Sequence, residues 1–278
     1  RTDMETRHST HAAPRGVSRS LVDLLGRDYT EAVCAARAFA EGSDPAALRA
    51  AAEEKVDFYP AAFARRLDEL VGRVGTRVCP GLASSARGAG SGGYTAVSRN
   101  GPAPLTGAGF LRIGEDGMLH LASKAEHYHL SLGHGFPGYR LVDNARRLGI
   151  PNATHNNTRG HVARTLEEEL VAAGGSTRDR RAEMERLVAS TEPGVLNRVV
   201  NLETGSLVVE AALKMCLTRF YRFEPDDPRP RHEGRTPVFL VIGDYRGGTG
   251  ANYHGTTILT QAMRGLWPGL AGALGSAG

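Results

Sequence analysis

The sequence predicts an α/β fold, and three neighbouring segments carry that prediction. "LNRVVNLE", residues 196–203, has the β-branched content of a strand. "TGSLVVEAALKM", residues 204–215, reads as a helix that is apolar on most of its surface. "TPVFLVIGD", residues 236–244, is a continuous apolar run, which suits a parallel strand buried on both faces. Strand, helix and strand in that order make a βαβ unit with a right-handed crossover.

The rest of the chain divides by composition. Residues 1–20 are polar and lack periodicity, as expected of a disordered tail. "SDPAALRAAAEEKVDFYPAAFARRLDELVGRVG" predicts two helices: Ser43 or Asp44 caps the first, and Pro60 marks the start of the second. In the second, Phe63, Leu67, Leu70 and Val71 fall on one face, the spacing of a packing stripe. From Cys79 to Gly109 the chain is rich in Gly, Ser, Ala and Pro and reads as a long loop or linker. Residues 21–109 are therefore a helical N-terminal region with its linker.

"FLRIGEDGMLHLAS" reads as a hairpin with Glu115, Asp116 and Gly117 in the turn. The Gly/His-rich loop "HYHLSLGHGFPGY" leads into a short helix, "RLVDNARRLG", closed by Gly149 and Pro151. A further helix repeats Val162, Leu166, Leu170 and Val171, with Asn157 or Thr158 as its cap and Gly174–Gly175 as its end. "STRDRRAEMERLVAST" is a charged, exposed helix. These elements make up a second region, residues 110–190, and the α/β domain begins at 191.

The composition narrows the function classes. The chain has 278 residues, long enough to bury a sizeable core. No apolar run reaches the roughly 18–20 residues that span a bilayer, and no apolar signal segment follows the N-terminal arginines, so no membrane partner is expected. Three distant cysteines, Cys34, Cys79 and Cys216, suit a reducing, cytoplasmic setting better than a disulfide framework. The net charge of +4 comes from arginines scattered among acids, which argues against nucleic acid as a partner.

The chemistry concentrates at two loops. Thr204, Gly205 and Ser206 open the apolar helix, where unpaired N–H groups and the helix dipole make an anion site. Gly205 admits close approach, and the flanking hydroxyls add donors, so a phosphate is the expected guest. The plain alternative is an ordinary helix start with Ser206 as N-cap. "GDYRGGTGANYHGTT" follows the next strand, at the carboxyl end where ligands bind in open α/β sheets. It carries Tyr253 and His254, and an aromatic beside a phosphate site suits stacking on a flat, charged ring. A Walker A ending is absent.

These segments resemble class III aminotransferases, which use pyridoxal 5'-phosphate. "TGSLVVEAALKM" is similar to their Ser-Gly-(Ser/Thr)-Glu-Ala-x-Glu-Ala-Ala-(Ile/Leu)-Lys stretch, "NYHGTT" to their (Tyr/Phe)-His-Gly-Arg-Thr stretch, and "LSLGHGFPGYRLVDNARRLG" to their Leu-Gly-His-x-His-Pro segment with its helix. The likeness runs from about His127 to Trp267. It implies the fold-type-I transferase fold with a helical N-terminal extension, and amino transfer between an amine or amino acid and a keto acid. It also implies a homodimer. The cofactor phosphate would rest on Thr204, Gly205 and Ser206, Tyr253 would stack on the ring with His254 beside it, and Tyr128 would line the substrate pocket. The sequence departs from the pattern at Leu207, where the family has glutamate, and at Thr256, where it has arginine.

The same resemblance demands a Schiff-base lysine and a carboxylate facing the pyridine nitrogen. The chain has three lysines, Lys55, Lys124 and Lys214, and none matches that position. The expectation is that both groups lie beyond Gly278. The chain would then be the N-terminal part of a longer enzyme, inactive alone, with an incomplete sheet whose open apolar edge makes it self-associate. Two other readings stay open. One is a non-catalytic phosphate-ligand binder or assembly subunit. The other is a metal-dependent hydrolase using His120, His127, His129, His134, His155 and His161, although no His-Glu-x-x-His or Cys-x-x-Cys spacing supports it.

Overall fold

A capping box opens the described part of the chain. The computed structural model describes residues 16–90, 92, 95, 98–122, 132–150, 159–175, 181–202 and 204–238. Ser20 accepts from the Asp23 N–H at 3.2 Å, and the Asp23 carboxylate accepts from the Ser20 N–H at 2.7 Å. This starts α1 (Leu21–Leu25), and Gly26 turns the chain into α2 (Arg27–Glu41). The range expected to be a tail, residues 1–20, thus includes the buried Ser20 and the strand β1 (Ser18–Arg19), which pairs antiparallel with β2 (Val56–Asp57).

The two helices expected next are present. α3 (Pro45–Glu53) is capped by Asp44, which accepts from the N–H groups of Ala46 and Ala47, and α4 (Ala61–Val71) starts after Pro60. Leu21, Cys34, Leu48, Ala51, Ala52 and Val56 form a core with Leu141 and Leu148. The last two come from α5 (Arg140–Arg147), which follows a single 3-10 turn at Pro137–Tyr139. Glu54 ties α5 to the end of α3, accepting from Asn144 Nδ2 at 2.8 Å and from Arg140 Nε at 3.1 Å. The stripe of α4 is only half-covered, and Val71 is exposed.

The expected hairpin is β4 (Leu111–Gly114) and β5 (Leu119–Leu121). Gly117 holds the turn with a φ of +73°, a left-handed conformation that favours glycine. The segment read as a loop up to Gly109 supplies a third antiparallel strand, β3 (Pro104–Ala108), paired with β4 in the order β3-β4-β5. Non-local packing makes it a strand. A Cβ on Gly107 would lie 2.2 Å from the Leu111 carbonyl oxygen and 2.7 Å from the His134 ring. The Gly/His-rich stretch closes on the sheet through paired hydrogen bonds between Gly109 and His134, at 2.6 and 2.8 Å. Phe136 is buried among Phe58, Tyr59 and Tyr139, with ring centroids 5.5–5.6 Å away.

All of this belongs to one compact unit, Arg1–Ala89 with Ser98–Asn152. The boundary expected between residues 109 and 110 therefore cuts through a sheet. The second unit comprises Gly90–Val97 and Ala153–Gly278. It contains α6 (His161–Gly175) and α7 (Arg181–Ala189), which pack on each other, and α8 (Gly205–Leu217).

Both helix and strand are present, so the chain is mixed α and β. The sheets among the described residues are small and antiparallel. The first strand of the expected βαβ unit, residues 196–203, is irregular where it is described. Its polar side chains are spent on the end of α7. Asn197 Nδ2 donates to the carbonyls of Leu187 and Ser190 at 2.9 and 2.6 Å, and Arg198 Nη1 donates to the Val188 carbonyl at 2.5 Å. Those carbonyls are the acceptors a helix leaves unsatisfied at its C-terminus. In the second expected strand, residues 236–238 are irregular and the rest lies outside the described residues. Among the described residues, no helix is long and apolar enough to cross a membrane.

Candidate functional site

α8 starts where the sequence places its anion site, but with a different cap. Thr204 is the N-cap, with extended backbone at φ −142° and ψ 156°. Its side-chain oxygen accepts from the Leu207 N–H at 3.2 Å, and its carbonyl accepts from the Val208 N–H at 3.0 Å. Ser206, the expected cap of a plain helix start, lies two residues past the cap, at the second position of the helix. The intrinsic preference of Ser over Thr at N-caps is too small to decide between them.

The cap takes up neither of the first two N–H groups of the helix. Among the described residues, nothing accepts from the N–H of Gly205 or Ser206. Thr204 and Gly205 are exposed and Ser206 is half-buried. A Cβ built on Gly205 meets nothing within 4 Å, and its φ is ordinary. No neighbouring atom and no backbone strain therefore demands glycine there. The first turn carries no acidic residue. With Leu207 in place of a glutamate, the first turn itself carries no carboxylate to oppose an anion at the positive end of the helix dipole. The arrangement fits a phosphate: two open N–H donors, and two hydroxyls that can each donate one further hydrogen bond.

The other expected site residues, Tyr128, Tyr253 and His254, lie outside the described residues. Lys214, on the far turns of α8, holds its ammonium 5.0 Å from the centre of the Phe223 ring. That gives this lysine a structural partner.

The histidines expected to form a metal site fall into separate roles where they are described. His120 Nε2 is 3.1 Å from the Asp116 carboxylate, across the β4–β5 turn. The Met118 N–H, and after it His120, hold the Asp116 carboxyl below its usual range. His134 is buried beneath Gly107. His161 begins α6. His127, His129 and His155 lie outside the described residues. Among the described residues, no three His, Cys, Asp or Glu side chains gather to hold a metal ion.

Sequence reasoning passed over the capping role of Asn197 and Arg198. The signal was present, a polar pair one short turn after a charged helix, but it was absorbed into the apolar pattern around it. Set against protein-family models, curated proteins and solved structures, the chain matches none.

Proposed function

We infer that the start of α8 holds the phosphate of pyridoxal 5'-phosphate, and that the protein serves amino transfer between an amine or amino acid and a keto acid. The observation that carries this reading is the helix start itself. It has open N–H groups on Gly205 and Ser206, hydroxyls on Thr204 and Ser206, and no carboxylate in its first turn. The resemblance of three segments to class III aminotransferases, in family order, supports the choice of cofactor. The fold-type-I fold, the homodimer and the ring contacts of Tyr253 and His254 belong to the same proposal.

In this reading Thr204 keeps the turn in shape through its bond to Leu207, and Gly205 lets the phosphate oxygens reach the backbone. Ser206 donates both its N–H and its hydroxyl. Tyr253 covers the ring, and Tyr128 borders the substrate. The bound cofactor supplies an electron sink for the substrate α-carbon. None of Lys55, Lys124 and Lys214 is assigned the catalytic amine.

The test is equilibrium binding of pyridoxine 5'-phosphate and of pyridoxine, which lack the aldehyde that would label surface lysines. The phosphorylated compound is expected to bind at least about tenfold tighter, about 1.4 kcal/mol. Ser206→Asp, which puts a carboxylate at the helix start, should remove that preference. Equal binding of the two compounds to the unsubstituted protein would sink the phosphate assignment.

A further inference from the structure

A second place in the molecule has the makings of a ligand site, and it involves none of the residues above. α6, α7 and the segment at 197–199 enclose a cleft of about 400 Å³. Clefts that hold small ligands begin at about 300 Å³. The cleft is lined by three valines, Val171, Val188 and Val199, and Val171 is buried. The caps made by Asn197 and Arg198 on the end of α7 fix the wall that carries Val199.

The charges around these valines are distributed unevenly. Arg159 is bonded to Glu167. Arg198 is anchored on the carbonyls of Val188 and Asn197. Among the described residues, Glu167 keeps its other carboxylate oxygen buried and without a hydrogen-bond partner, and two further charged side chains, Arg164 and Glu168, stay unpaired. Both line the cleft and both are exposed, and among the described residues neither has an ion pair or a side-chain hydrogen bond. They lie four residues apart on α6, so they share a face of the helix. Elsewhere the same spacing and order closes into an ion pair, as at Arg37–Glu41, 2.6 Å apart, and Arg229–Glu233, 2.7 Å apart. At Arg164 and Glu168 it stays open.

We propose that this cleft binds an aliphatic amino acid, with its carboxylate on Arg164, its ammonium on Glu168 and its side chain on the three valines. A guanidinium suits a carboxylate because it presents parallel N–H donors. A carboxylate is an acceptor only, which suits an ammonium. A ligand bearing one charge would leave the other side chain facing it unmatched. Neither the cofactor reading nor the family resemblance gives any residue of this cleft a role, and the proposal stands without them.

The experiment compares three probes on the cofactor-free chain by NMR titration: L-leucine, 4-methylpentanoate, which lacks the amine, and 3-methylbutylamine, which lacks the acid. L-Leucine is expected to bind at least tenfold tighter than either, shifting the methyl signals of Val171, Val188 and Val199. Arg164→Gln should reduce leucine to the affinity of the amine, and Glu168→Gln to that of the acid. Both side chains are exposed, so the fold should survive, and unchanged circular dichroism checks this. Equal affinity for the three probes, shifts confined to other methyls, or two variants that bind leucine normally would each overturn the proposal. So would the absence of saturable binding.

Discussion

The two units differ in what they bury: among the described residues the first encloses eleven hydrophobic side chains and the second three, although both leave large apolar residues in solvent, Phe39 of the first at 94% among them. In the first, Leu119 and Leu148 are each 1% exposed, and Cys34 is fully covered. In the second, the buried apolar residues among those described are Val171, Ala172 and Leu213, while Leu196 and Val238 exceed 80% exposure. The exposed faces of α6 and α8 add Leu166, Leu170, Leu207, Val208 and Met215. The first unit therefore has a core of its own, which the described part of the second largely lacks. The second presents surface whose role lies outside its described packing, which is where ligand and partner sites are expected.

Substitution at a glycine of the first unit should show that contrast most strongly. Gly117 has a left-handed φ, and a Cβ there would lie 2.2 Å from the Cys79 carbonyl oxygen. Gly117→Ala combines backbone strain with an overlap against main chain that cannot move freely. We expect it to cost about 4 kcal/mol or more and to abolish the three-stranded sheet. Hydrogen exchange at the Leu119 amide, which donates to the Thr76 carbonyl, reads this directly. Retained protection of that amide would contradict the packing described for the turn.

Core truncation comes next. Leu148→Ala removes a fully enclosed side chain and should cost about 2–5 kcal/mol in urea unfolding. Leu213→Ala, on the thinly covered α8, should cost about 2 kcal/mol or less, because water reaches much of its surroundings. Equal losses at the two positions would erase the difference between the units.

A smaller effect is expected from pH. The Asp23 carboxyl is lowered from about 3.8 to about 2 by its bond to Lys55 and then by the Ser20 N–H. A carboxylate depressed on folding contributes stability above its unfolded value and loses it as pH falls through the folded one. The melting temperature of the first unit should therefore drop between about pH 4 and pH 2. Asp23→Asn should flatten that drop. A variant that follows the parent curve would show that other groups govern acid unfolding.

The same contrast explains what the sequence reveals. Elements fixed by local chemistry are legible: the Asp44–Pro45 start of α3, the Asp116–Gly117 turn between β4 and β5, and Gly149 after α5. The capping box of Ser20 and Asp23 is equally local, but its cap residue falls at the very end of the range expected to be a tail, residues 1–20. β3 was not legible. Pro104 and Gly107 argue against a strand, and only the approach of Leu111 and His134 makes glycine necessary there. In the second unit, residues 196–202 have strand composition, but Asn197 and Arg198 satisfy the end of α7 instead. For the candidate site, the helix start was legible from Thr204, Gly205 and Ser206. Which hydroxyl caps the helix depends on backbone angles that composition does not encode.

The smallest expected change in stability bears most closely on function. Gly205 and Gly117 are both glycines at the edge of an element, yet only Gly117 is explained by the fold. Among the described residues nothing crowds Gly205, its φ suits any residue, and alanine is the better helix former. Gly205→Ala should therefore leave the fold intact or stabilise it by about 0.5 kcal/mol. If the glycine is there to let phosphate oxygens reach the main chain, the same substitution should weaken pyridoxine 5'-phosphate binding at least about tenfold while leaving pyridoxine unaffected. A variant that is stable and binds the phosphate normally would remove the reason for reading Gly205 as a ligand contact. A variant that unfolds would show that α8 has packing at its start that the second unit does not otherwise display.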